Sequence, residues 1–433
     1  MSDQAFVRIE MLPEKKPPAS TVGMIGWLRE NLFSGWLNTV LTIISMGFIW
    51  YILSGVLPWV FQSVWNANSL NECREIMNET WGSTHGHACW GVVRERWLQL
   101  LYGFYPENLY WRVNLALVLT LLALTPLLFA ERAPRQLWYV TAVYPFLMPW
   151  LLWGGSIWGP LMIAAGVGIG YLAFRLLAPI AGSLISVIAS AVLPIIWWMF
   201  LAGSAAGVVD AVLPMGIETV ESRQFGGFML AILLGIAAIG CSLPIGIILA
   251  LGRQSDLFIV KTLCVGFIEF IRGVPLITLL FVASLLLNLF LPVGTNFDII
   301  LRVMIMMTLF AAAYMAEVIR GGLAALPKGQ YEGADSLGLN YWQAQRLIIM
   351  PQALKISIPG IVSTFIGIFK DTTLVSIIGL FDVIGLAGAI RADTAWNGIY
   401  WELFAFIAFL FFVVCFSMSR YSMYLERKLH TGH

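Results

Sequence analysis

Charge is what this sequence has least of: 11% of its 433 residues are Asp, Glu, Lys or Arg, against about 25% in an ordinary soluble domain. The net charge is +1, so no electrostatic footprint for nucleic acid exists. Histidine is scarce, with four residues at 85, 87, 430 and 433. No H-E-x-x-H and no G-x-S-x-G occurs, which removes the usual signatures of a zinc hydrolase and of a serine hydrolase. His85 and His87 are one residue apart and are read as a solvated loop pair rather than metal ligands. There is no G-x-x-x-x-G-K-[ST], so the chain cannot hold ATP in a phosphate loop. Five cysteines form neither C-x-x-C nor a metal-ligand cluster.

What replaces charge is apolar surface. Hydrophobic residues make up 59% of the chain, with 18 Trp and 27 Phe. A soluble core of this size cannot hide that much and keep a wettable exterior; lipid as solvent removes the conflict. The first long apolar run, Trp36–Phe61, carries no charge and exceeds the roughly 20 residues that cross a bilayer. Glu10 and Glu14 precede it and no small-residue cleavage site follows, so it is expected to stay as a span. Further runs lie at about 113–129, 137–153, 159–177, 183–201, 225–251, 263–291, 299–319, 356–380 and 399–418. The expectation is an all-α integral membrane protein of about ten helices, with eight an alternative that keeps the same sidedness.

Lys and Arg near span ends set orientation. Lys15, Lys16, Arg29, Arg132, Arg135, Arg175, Arg253, Lys261, Lys328, Arg346, Lys355, Arg420, Arg427 and Lys428 fall on one side if ten spans alternate, which puts both termini in the cytoplasm. Arg74, Arg94 and Arg96 oppose this but are outnumbered. The polar stretch 62–108 is then extracytoplasmic and holds Cys73 and Cys89. In an oxidising periplasm two such cysteines usually pair, a bond worth about 3 kcal/mol for a loop of this size. The alternative is two free thiols.

The most informative segment is 327–351, PKGQYEGADSLGLNYWQAQRLIIMP. Tyr331–Leu337 has helix formers, and Gly338 stands where a C′ glycine accepts φ > 0. Asn340 and Gln343 have the spacing of a capping box for a second helix, and a span is expected to begin at Pro351. This helix–turn–helix is either an amphipathic connector that parks Ala334, Leu337 and Leu339 at the membrane interface or a docking knob for a cytoplasmic partner.

Glu332-Gly333-Ala334, Gly338, Ile348 and Pro351 resemble in spacing the EAA loop of ATP-binding-cassette (ABC) importer permeases, with Gly333 in place of the first Ala and Met350 in place of Leu. The flanking 312–330, AAYMAEVIRGGLAALPKGQ, with FIEFIRGVPL (267–276) and FKDTTL (369–374), looks like the polar amino-acid uptake permeases of the histidine/glutamine type. The resemblance covers about 221–421, and the preceding spans look like those of general L-amino-acid permeases. It implies three parts: accessory spans and a periplasmic loop (62–110) within 1–220, a five-helix permease core at 221–421 with coupling loop 327–351, and a tail at 422–433. It implies a coupling surface of Tyr331, Glu332, Gly333, Ala334, Asp335, Gly338 and Pro351. It implies a paralogous permease as heterodimer partner, an ABC ATPase dimer that binds ATP and Mg, a periplasmic amino-acid-binding protein, and residence in a bacterial inner membrane. No cofactor is expected in this chain.

Charges within apolar runs are costly and are usually functional or paired. Glu269 and Arg272 are three apart, as are Glu317 and Arg320, so each pair shares a helix face. Lys370 and Asp371 are adjacent, point differently and need other partners. The two E-x-x-R-G segments are expected to approach mid-membrane depth, with Pro275 breaking the first helix. Such pairs can pin helices together, or can hold the ammonium and carboxylate of an amino acid. On the second reading Glu269, Arg272, Glu317, Arg320, Lys370, Asp371 and Thr372 line the substrate pathway. A stand-alone transporter driven by an ion gradient shares the composition and buried charges, but leaves the EAA-like loop without a role.

Overall fold

A computed structural model describes residues 23–286 and 298–429. Lys15, Lys16, Glu10, Glu14, His430, His433 and the end of the 263–291 run lie outside the described residues. Two compact units divide at Val92 and Val93.

The first unit contains α1 (Gly23–Asn31), α2 (Trp36–Phe61) and α3 (Leu70–Trp81). None of α2 is buried; a helix apolar on every side and without a buried face is one whose solvent is lipid. The polar segment after it is folded. Ser69 caps α3 by accepting from Glu72 N, Glu72 accepts in return from Asn68 N, and Gly82 ends the helix at φ 69°. Trp90 packs edge-on to Trp59 and stacked with Trp65. Cys73 and Cys89 are buried and bonded to each other, with Cα atoms 6.0 Å apart.

The second unit takes in α4 (Gly91–Tyr102) from Val93 onward, then α5 (Tyr110–Leu128) and α6 (Leu137–Trp153). α7 (Trp158–Gly182) and α8 (Ile185–Val212) are separated at Gly182, whose φ of 81° breaks the helix. After α9 (Gly227–Gln254) come α10 (Phe258–Gly273) and α11 (Leu276–Leu286), bent by 101° across Val274-Pro275. α12 (Ile299–Ala324), α13 (Lys328–Ser336), α14 (Tyr341–Ile378), α15 (Val383–Ala392) and α16 (Trp401–Leu429) complete it.

Eight of these helices are long and apolar enough to cross a membrane. With the bent pair and the 17-residue α6, they account for every apolar run read from the sequence. The run at 263–291 is not one straight helix, because Pro275 lacks the N–H that would continue α10. α12 is the centre of the core: 56% of its most apolar window is buried, the largest share of the eight. Its small residues Ala311, Ala312, Ala313 and Ala316 let neighbours approach closely. A Cβ on Gly246 of α9 would lie 2.8 Å from Met315.

Residues before and after 220 meet within the second unit. α5 and α6 are tied into the core at one end. Trp153 stacks on Phe225 at 4.4 Å and donates to Ser222 Oγ at 2.7 Å, and Ser222 bonds Asp298 at the start of α12. Arg112 donates to Glu218 O at 2.6 Å. At the other end Lys428 of α16 meets Glu131, which follows α5, and Tyr421 bonds Leu128 O. These contacts join only residues that the alternation of spans puts on a common side. The last span also runs beyond 418, since α16 is helical to Leu429.

Candidate functional site

The conformation of the 327–351 segment is set by local rules. α13 ends in a Schellman motif. Gly338 has φ 67°, its N–H donates to Asp335 O at 2.9 Å, and Leu339 N donates to Ala334 O at 3.3 Å. Glycine fits because an L side chain pays a steric cost in that region. Two residues on, Asn340 Oδ1 accepts from Gln343 N at 2.9 Å and Gln343 Oε1 accepts from Asn340 N at 3.0 Å, a reciprocal capping box that starts α14.

The exposed side of this turn comprises Glu332, Gly333, Asp335, Gly338 and Leu337, with Leu337 73% exposed. Tyr341 and Trp342 are exposed beside them. Ala334 is buried and Tyr331 packs partly against the core. A Cβ on Gly333 would meet nothing within 4 Å, so the glycine that stands for alanine there is not demanded by packing. Gln352 Nε2 donates to Gln330 Oε1 at 2.9 Å and ties α13 to α14. Pro351 does not open a new helix. α14 runs through it from Tyr341 to Ile378, because a wide π-helical turn at Gln345–Ile349 takes up the residue whose N–H is missing.

The intramembrane charges are arranged differently from the expected pairs. Glu317 does meet Arg320, at 3.1 Å. It also accepts from Arg253 at 2.7 Å and lies 3.5 Å from Arg272. Glu269 pairs with Arg253 at 2.8 Å instead of with Arg272, and Arg272 lies over the Tyr314 ring at 5.5 Å. Spacing of three made the local pair possible, but α9 brings a third guanidinium into the gap between α10 and α12. The result is one carboxylate, 16% exposed, held by arginines from three helices. The cluster lies toward one end of its helices: Arg253 is the penultimate residue of α9, and Glu317 lies about 10 Å from the end of α12 at ~1.5 Å per residue.

Lys370 and Asp371 make no ion pair with each other or with any described residue. Thr372 is fully buried and donates to Phe369 O at 2.7 Å, so it faces no open path in this conformation. Two further polar residues were not singled out from the sequence. Arg302, one turn into α12, donates to Ala283 O at 3.2 Å and Ser284 O at 3.0 Å, carbonyls of the π-helical turn in α11. Asp382 is fully buried and caps α15 by accepting from Gly385 N at 2.9 Å. Burial lifts its carboxyl from 3.8 to about 6, against the lowering effect of the Gly385 and Ile384 N–H bonds. A charge just inside an apolar run was the available signal for Arg302; nothing local marked Asp382.

Comparison with known proteins joins these features. Residues 242–431 match the family described as binding-protein-dependent transport system inner membrane component. The chain is 58% identical over 434 residues to the glutamate/glutamine/aspartate/asparagine transport system permease protein BztC of Rhodobacter capsulatus, covering 100% of both. The chain belongs to the amino-acid ABC importer permeases. The permease is also 40% identical to the inner membrane amino-acid ABC transporter permease protein YhdY of Escherichia coli, over 94% of this chain and 93% of the relative. A probable glutamine ABC transporter permease protein, GlnP of Bacillus subtilis, is 32% identical and matches 46% of this chain against 90% of itself. More than half of the present permease is therefore additional to that shorter type. A solved amino acid ABC transporter chain, crystallised with histidines, aligns at 31% identity over 46% of this chain and 91% of its own, with a TM-score of 0.42. The stand-alone, gradient-driven transporter is not favoured: these relatives are permease subunits of ABC transporters.

Proposed function

We propose that this permease, with a paralogous permease, forms the path by which acidic amino acids and their amides are taken up across a bacterial inner membrane. A separate ABC ATPase dimer binds ATP and Mg and seats the 327–351 loop. A periplasmic binding protein delivers the substrate. The chain itself catalyses no step. The observation that carries this reading is the exposed, doubly capped turn, whose two caps hold Glu332, Asp335 and Leu337 out from the membrane helices in one rigid arrangement. A knob fixed in shape transmits a pull; a floppy connector does not.

Glu269, Arg272, Glu317 and Arg320 are proposed to line the cytoplasmic end of the pathway. With Arg253 they hold three guanidiniums against two carboxylates, a formal excess of positive charge that suits an anionic amino acid. Lys370 and Asp371, which make no ion pair with any described residue, are proposed to face the paralogue or the substrate. The substrate class rests on the name of the relative that is 58% identical over its full length.

The test is reconstitution in liposomes. The full set of chains takes up labelled glutamate, glutamine, aspartate and asparagine when ATP is enclosed with the ATPase. The permease alone hydrolyses no ATP and accumulates nothing under a proton or sodium gradient. Accumulation by the lone chain would sink the proposal.

A further inference from the structure

A crevice of about 250 Å³ opens between the accessory helices α5 and α6 and the core helices α9 and α16. Val113 and Leu117 line it from α5, Met148 from α6, Met229 and Leu233 from α9, and Leu410 from α16. Its polar side chains are few and mostly engaged. Thr120 donates to Ala116 O and shares a bond with Tyr144, both at 2.7 Å. Tyr102 donates to Asn114 Oδ1 at 2.8 Å, which leaves the exposed Asn114 amide N–H at the crevice without a partner among the described residues. A water there needs two to four polar partners and does not find them, and a free amino acid would lose its hydration for nothing.

Depth selects the occupant. Val113 and Thr120 lie about 10 Å apart along α5 at ~1.5 Å per residue. That is shorter than one leaflet, about half of a ~30 Å hydrocarbon core. The crevice therefore serves one leaflet and does not cross the bilayer. It lies alongside an apolar span whose outer face is exposed, as at Leu121 with 60% exposure.

We infer that the crevice is a phospholipid site: one acyl chain fills the groove between the accessory pair and the core, and the Asn114 amide donates to its glycerol ester carbonyl. The lipid then completes the packing between helices that the shorter permeases lack and the core that they share. The lining is mostly apolar and carries no charged side chain, so burial of the chain is driven by contact with matching side chains, not by charge.

The test uses the full-length chain extracted from its membrane. Phosphatidylglycerol with a diazirine on its acyl chain is the probe. After irradiation, adducts are expected on peptides containing Met148 and Met229, and native mass spectrometry is expected to show a phospholipid retained through a detergent wash. Leu117→Trp, which fills the groove, is expected to lose both signals. Leu121→Trp, on the same helix but outside the groove, is expected to keep them. Adducts at Met148 and Met229 no denser than along α2 would overturn the inference, as would a second polypeptide cross-linked at those residues in place of lipid. The wild-type adduct map decides the matter even if Leu117→Trp fails to fold.

Discussion

Arg253 and Glu317 are 64 residues apart in sequence and meet at 2.7 Å. Because Arg272 and Arg320 converge on the same carboxylate, Glu317 is the centre of the cluster and not half of a pair. Removing it leaves Arg272 and Arg320 without this carboxylate, while Arg253 keeps Glu269 at 2.8 Å. Breaking a buried ion pair from one side commonly costs about 3–5 kcal/mol, so Glu317→Gln is expected to lower thermal stability and membrane yield sharply. Adding Arg320→Met is expected to recover only part of the loss, since Arg272 remains uncompensated and Arg253 keeps only Glu269. Glu269 is 53% exposed, and Glu269→Gln is expected to cost about 1 kcal/mol or less. Full rescue by the Glu317→Gln, Arg320→Met double change, read from unfolding midpoints, would restore the isolated-pair view.

Two glycines in the coupling turn are expected to behave oppositely. Gly338 sits at φ 67°; Gly338→Val places a β-branched residue in the left-handed region, where the cost is roughly 1–2 kcal/mol or more. Uptake is expected to fall and ATP hydrolysis to uncouple from transport while the chain still inserts. Gly333 has open space around it, and Gly333→Ala is expected to leave transport intact and to firm α13 by about 0.5–1 kcal/mol. Equal effects of the two changes on uptake would argue against this account of the turn. Glu332→Lys, which reverses charge on the exposed face, is expected to uncouple without loss of protein.

Asp382 gives a pH dependence with a definite sign. Its folded-state value of about 6 is above its ordinary 3.8, so the folded protein holds this proton more tightly than the unfolded chain does. Below about pH 4 both states are protonated and no penalty exists. Between about 4 and 6 the unfolded state ionises first and stability falls; above 6 the loss levels off, at about 3 kcal/mol. Asp382→Asn keeps a side-chain oxygen for the Gly385 N–H and carries no charge. The unfolding midpoint of the variant is expected to exceed that of the parent at pH 7 and to converge with it near pH 4. A gap independent of pH would remove Asp382 as the cause.

The Cys73–Cys89 bond closes a short extracytoplasmic loop, with a sequence separation of 16. Constraining a loop of that size is worth about 3 kcal/mol. Cys73→Ser with Cys89→Ser is expected to make the 62–92 segment sensitive to protease added from the outer face, while the rest of the chain stays resistant. Both thiols are expected to resist alkylation until a reductant is added; labelling of either without reductant would contradict the bond.

The sequence by itself determined the class, the apolar runs and the capped turn at 338–343. Composition forces a lipid-embedded protein, because 59% hydrophobic residues cannot be covered by so few charges. The turn was legible because its caps are local. Gly338 bonds Asp335 three positions back, Leu339 bonds Ala334 five back, and Asn340 bonds a residue three positions on. None needs anything beyond neighbouring backbone. Only the tertiary structure decided what depends on convergence of distant helices. Spacing allowed Glu269 to reach Arg272, but Arg253, delivered by α9, competes for both carboxylates. The helix that was expected to start at Pro351 instead runs through it, because a π-helical turn absorbs the proline. Asp382 looked like any loop aspartate until the folded chain enclosed it completely. Hydrogen bonds between near neighbours are written in sequence order, whereas Coulomb attraction and burial act through space, and the space belongs to the fold.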